Sequence, residues 1–165
     1  MRLTILAATL LLPLSVLTQQ ACPAGAEPVP RALSAWGEGA AVAAGASANA
    51  AMEIDIGETF AVDLHPNAHF DLSVAPKRAA APDSHGGFLD FEVATAGTYR
   101  IALSDAAWIE VIAAGKPVTS AAHGHGPACS GMRKIVDFAL NPGRHLLQVS
   151  GAPGASIRAL VVPGA

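Results

Sequence analysis

His123, His125 and Cys129 fall within one glycine-rich stretch, His123-Gly124-His125-Gly126-Pro127-Ala128-Cys129, the densest gathering of metal-ligating and nucleophilic side chains in the sequence. In an extended segment, residues two apart project to one side. Both imidazoles can then reach one metal ion, and Gly124 and Gly126 clear its approach. Two nitrogens suit zinc or copper, which want one or two further ligands. Cys129 supplies a third if it stays reduced, and His145 a fourth if its strand end lies close. A pair without a third partner is a weak signal, and the plainer reading is a connecting loop with solvated histidines. His65-Pro66-Asn67-Ala68-His69 has the spacing of two ligands on a helix, but Pro66 and Asn67 favour a turn. His85, beside Gly86-Gly87, has no identifiable partner. No Gly-x-Ser-x-Gly elbow, phosphate-binding loop or His-Glu-x-x-His helix occurs, and Ser84 and Ser130 are near histidines only in sequence. Glu53 and Asp55 take the outward phase of a strand, where solvation accounts for them.

The termini and cysteines set the compartment in which such a loop would work. Arg2 precedes an apolar run from Leu3 to Leu17 and then Thr18-Gln19-Gln20, the pattern of a secretory signal peptide. The leader is read as 1–21, with cleavage as late as 26 at Ala24-Gly25-Ala26. The run is too short for a comfortable membrane span of about 20 residues, so no transmembrane segment is expected after processing. The protein is expected in the periplasm or secreted. The late cut would discard Cys22, whereas parity in an oxidising compartment favours a Cys22–Cys129 disulfide. Gln19-Gln20-Ala21 lacks the leucine and small residues that precede a lipid-bearing cysteine.

About 140 residues remain, enough for one core. Charged residues are 14% and the formal net charge is −3. No basic cluster exceeds Lys77-Arg78 or Arg133-Lys134, each read as a solvated loop or strand end, so a nucleic-acid partner is not expected. Residues 27–50 are dominated by Ala, Gly, Pro and Ser and are read as an arm or linker, with Trp36 as its anchor. From Ala51 the period becomes two. Met52 to Ile56, Phe60 to Leu64, Phe70 to Val74, Leu89 to Val93, Tyr99 to Leu103 and Trp108 to Ile112 read as strands. Pro117 to Ser120, Lys134 to Leu140, Arg144 to Ser150 and Ser156 to Val162 follow, each bounded by turn chemistry. In these phases Tyr99, Ile101 and Phe138 point inward and Arg100 outward. The fold class expected for 51–165 is all-β, an antiparallel β-sandwich or jelly roll, with a closed barrel as the alternative.

Phe91 to Leu103, with its Ala96-Gly97 turn before Tyr99, and Phe138 to Val149, with Asn141-Pro142-Gly143, resemble bacterial pre-peptidase C-terminal-type β-sandwiches in their strand, glycine turn, aromatic, strand order. That resemblance covers about half the mature chain and implies an exported accessory module rather than a catalyst. The chain as a whole is similar to a group of small exported proteobacterial proteins carrying Ala-His-Gly-His-Gly-Pro-Ala-Cys-Ser-Gly, here Ala122 to Gly131. Members of that group often bear the genome label homogentisate 1,2-dioxygenase, which implies a cupin holding iron by two histidines and a glutamate. His123 and His125 match its first histidine pair, and Pro142-Gly143-Arg144-His145 is similar to its second motif. Cys129 to Arg133 occupy the glutamate's place, so a facial triad would draw a carboxylate from elsewhere, such as Glu110 or Asp137. The expected function is therefore an exported accessory or binding β-sandwich, its partner an unidentified ligand or an envelope protein. The alternative is a metal-binding oxidoreductase centred on His123 and His125, with zinc, copper or iron.

Overall fold

Alternating apolar residues build two sheets that bury one face each against the other. The computed structural model describes Cys22, Gly25, 27–76 and 79–164; the leader read at 1–21 and the Lys77-Arg78 pair lie outside the described residues. The first sheet contains β1 (Ala40–Ala43), β3 (Thr59–Asp63), β6 (Gly97–Leu103), β9 (Ser120–Gly124), β10 (Lys134–Leu140) and β12 (Ser156–Pro163), in the order β1-β3-β12-β6-β10-β9. The second contains β2 (Met52–Glu53), β5 (His85–Val93), β7 (Trp108–Ala113), β8 (Lys116–Val118) and β11 (Gly143–Ala152), in the order β2-β5-β11-β7-β8. The short β4 (His65–Pro66) pairs with β5. The chain is an all-β sandwich, not a barrel.

The core is the inward phase of these strands: Phe91 and Val93 on β5, Tyr99, Ile101 and Leu103 on β6, Val136, Phe138 and Leu140 on β10, and Leu147 and Val149 on β11. Tyr99 buries its ring and donates its hydroxyl to the Thr95 carbonyl at 2.9 Å, which ties the β5–β6 turn to the interior. Arg100, on the opposite phase, is half-buried: its guanidinium grips Asp137 across the ladder at 2.8 Å on each oxygen.

Three features depart from the sequence expectation. Both sheets are mixed, because β1 runs parallel to β3 and β2 parallel to β5 at their edges. The 27–50 segment, read as an arm or linker, is built into the sandwich. Leu33 is fully buried with Met132 and Leu160, and Trp36 packs against them while its Nε1 donates to the Ser130 carbonyl at 2.9 Å. Small residues allow the close approach this needs. Gly39 adopts φ +72°, and a Cβ there would run into the Thr59 carbonyl. Gly45 exchanges backbone hydrogen bonds with Phe88 at 2.8 and 2.9 Å.

The expected strand from Phe70 to Val74 does not form. Phe70 lies on the outer face of the second sheet, its ring centroid 5.0 Å from that of Phe88. The amide of buried Gln148 replaces a neighbouring strand, accepting from Ser73 N and Val74 N and donating to Val74 O. Alternation alone could not distinguish this crossing segment from a strand, because its backbone partners are supplied by a side chain.

Candidate functional site

The sandwich stays open along one side. There β8 is the edge of the second sheet and β9 the edge of the first, with only Thr119 between them. A groove of about 760 Å³ follows this side, lined by Trp108, Ile109, Val118, Val136 and Phe138 as apolar wall and by Glu110, His123, His125, Arg133 and Lys134 as polar groups. Pairing of β10 with β6 turns Val136 and Phe138 inward. In the β9–β10 ladder His123 lies opposite Val136 and Ser120 opposite Phe138, with an irregularity between Asp137 and Phe138. Residues directly opposite share a face, so His123 and Ser120 belong to the groove side.

Lys134 begins β10 in the phase of Val136 and crosses to the second sheet. Its Nζ donates to the Ala107 carbonyl at 2.6 Å and sits 4.8 Å from the centroid of the Trp108 ring. Burial pushes its pKa below the ordinary lysine value, opposed by the attraction of the Glu110 carboxylate. The tryptophan face and the carbonyl replace part of the water the ammonium gives up. The pair Arg133-Lys134 is therefore not the solvated strand end expected from sequence: Arg133 is exposed, and Lys134 is drawn in.

His125 sets its Nδ1 2.7 Å from the Arg133 carbonyl. A carbonyl can only accept, so this contact holds the ring with Nδ1 as its donor. Arg133 Nη1 lies 3.2 Å from the same Nδ1. Both imidazoles are exposed at the groove, so the structure brings His123 and His125 to one place.

The further ligands named for a metal do not join them. Cys129 is bonded to Cys22 with Cα atoms 5.8 Å apart, and a disulfide sulfur is no thiolate ligand. His145 is buried, its Nδ1 2.8 Å from the Gly143 carbonyl and its ring stacked on Phe91. Asp137 is held by Arg100, and Glu110 faces Lys134. Among the described residues no group of three or more His, Cys, Asp or Glu side chains could hold a metal ion. The donor set implied by the dioxygenase resemblance thus does not fit a facial triad here. The hydroxyls of Ser84 and Ser130 donate to the carbonyls of Ala81 and Pro127 at 2.6 and 2.7 Å, which gives neither a histidine base. His65 Nε2 is 2.8 Å from the Ala44 carbonyl, and Asn67–His69 forms one turn of 3-10 helix.

Trp108 and Lys134 are the site residues that sequence reasoning did not single out. Trp108 opens an apolar strand and Lys134 opens another, and nothing in their spacing says that the two strand starts face each other across the sandwich. Among the described residues no helix is long and apolar enough to cross a membrane. No protein-family model and no curated protein matches the chain.

Proposed function

We propose that the protein is an exported accessory module that binds a small amphipathic molecule in the groove between β8 and β9. The observation that carries this reading is the groove itself. Its volume of about 760 Å³ falls in the range of roughly 300–1,000 Å³ typical of small-molecule sites. Apolar walls with a few convergent polar groups are the usual make-up of such sites. Export is supported by the Arg2 and Leu3 to Leu17 leader and by a cysteine pair suited to an oxidising compartment. The likeness to pre-peptidase C-terminal-type sandwiches supports a binding role.

Calorimetric titration with 8-anilinonaphthalene-1-sulfonate, an apolar dye with one anionic group, tests it. One site per chain is expected. Ser120→Leu, which adds bulk on the groove side of β9, should weaken binding at least about tenfold, or ~1.4 kcal/mol. A dye that does not bind, or that binds the variant equally well, would sink the reading.

A further inference from the structure

We propose that the outer face of the second sheet binds an α-amino acid with an aliphatic side chain, its ammonium held by Asp90 and its carboxylate by Arg144. This site is independent of the groove between β8 and β9, with which it shares only Val74. Asp90 and Leu146 stand opposite each other in the β5–β11 ladder at the floor of a hollow of about 530 Å³. Asn49 and the Ser73-Val74 segment border it, the latter pinned by the Gln148 amide.

The first argument is the carboxylate at the floor. Asp90 belongs to the outward phase of β5, yet its side chain is only 2% exposed. Arg144 stands directly opposite Glu92, but its guanidinium reaches diagonally to Oδ2 of Asp90. Oδ1 of Asp90 has no hydrogen-bond partner among the described residues. A buried ion pair gains little stability over apolar residues of similar volume, and a buried acceptor left unsatisfied costs free energy. Stability alone therefore gives no reason for a carboxylate here, whereas a donor arriving at Oδ1 would complete its hydrogen bonding.

The second argument is charge and spacing. Arg144 is 70% exposed, so a turn of this one side chain opens Oδ1 without moving the backbone, and the guanidinium keeps further N–H donors for an anion. A ligand carrying a cation alone would compete with Arg144, and one carrying an anion alone would compete with Asp90. Either would leave a charge unpaired at a buried position, which is costly. A zwitterion leaves every charge paired. Asp90 and Arg144 are in contact, so the ligand's two charges must also lie close together. In an α-amino acid a single carbon separates them.

The third argument is the remaining surface. Leu146 and Val74 are half-buried and line the same hollow, which gives an aliphatic side chain apolar contact beside the charged pair. The volume lies in the range of roughly 300–1,000 Å³ usual for small-molecule sites.

The test compares L-leucine, L-leucinamide and N-acetyl-L-leucine on the full chain by calorimetry. The amide keeps the ammonium and loses the carboxylate; the acetylated form does the reverse. Leucine is expected to bind at least about tenfold tighter than either, as two charge-assisted contacts require. In Asp90→Asn, which keeps the shape and removes the charge, the preference for leucine over N-acetyl-leucine should fall to about threefold or less. Arg144→Lys, which keeps a positive charge and loses the planar fork, should reduce the preference for leucine over leucinamide. Circular dichroism checks the fold of both variants, and the comparison of the three ligands on the wild type stands without them. Ser120→Leu should leave leucine binding unchanged. Absence of leucine binding, equal affinities for the three ligands, or a full preference surviving in folded Asp90→Asn would overturn the assignment. Loss of leucine binding in Ser120→Leu would overturn it too, by placing the ligand in the β8–β9 groove.

Discussion

Lys134 gives up water to reach the second sheet, and that cost has a measurable sign. Its folded pKa lies below the ordinary value of 10.5 because burial disfavours the ammonium. Between the two values the unfolded chain binds more protons than the native one, so stability rises with pH across that interval and levels off above the unfolded value. Urea midpoints of the wild type and Lys134→Met, followed from pH 7 to 11, should show the wild type gaining on the variant through the alkaline range below 10.5. A constant difference would mean that the ammonium keeps its full hydration. Arg100 behaves in the opposite way. Its hydrogen bonds to Asp137 raise its pKa, against a smaller effect of burial, and it stays charged throughout that range. The outward phase assigned to Arg100 from sequence is correct for the ladder, but the paired Asp137 opposite it is legible only once the register is known.

Strands with apolar alternation were legible, and strands built from small residues were not. β6, β10 and β12 carry Ile, Leu, Val, Phe or Tyr on their inward phase, and the period of two locates them within one or two residues. β1 is Ala-Ala-Val-Ala and β9 is Ser-Ala-Ala-His-Gly. Neither has enough large apolar side chains to announce a face, so β1 read as linker and β9 as loop. For the same reason the histidines were legible as a pair while their setting, an edge strand beside a groove, was not. The attachment of β1 turns on Gly39, whose φ of +72° and contact with the Thr59 carbonyl leave no room for a Cβ. Gly39→Ala should cost about 1–2 kcal/mol from backbone conformation alone, and limited proteolysis should cut faster within 27–50. Gly97→Ala is the control: its Cβ would meet open space at ordinary φ, and a change within about 0.5 kcal/mol is expected. Equal proteolysis of the two variants would argue against a docked β1.

At the scale of the whole molecule, the Cys22–Cys129 bond closes a loop across 107 residues of sequence. It joins the segment leading into β1 to the turn that follows His125. Removing it with Cys22→Ser plus Cys129→Ser should lower stability by about 2–4 kcal/mol, chiefly by freeing the unfolded chain. Urea unfolding of oxidised, reduced and double-variant protein checks this; superimposable curves would show that the cross-link constrains nothing.

The position of β12 fixes the timing of folding. It lies between β3 and β6 and hydrogen-bonds to both, yet it follows every other strand in the sequence. Until it arrives, the first sheet is two separate pieces: β1 with β3 on one side, and β6, β10 and β9 on the other. The two pieces of the first sheet therefore join only through pairing with β12. Pairing over such sequence distances is slow, because loop closure must be completed before the contacts repay it. The fold thus acts as its own timer, with the final strand as the trigger.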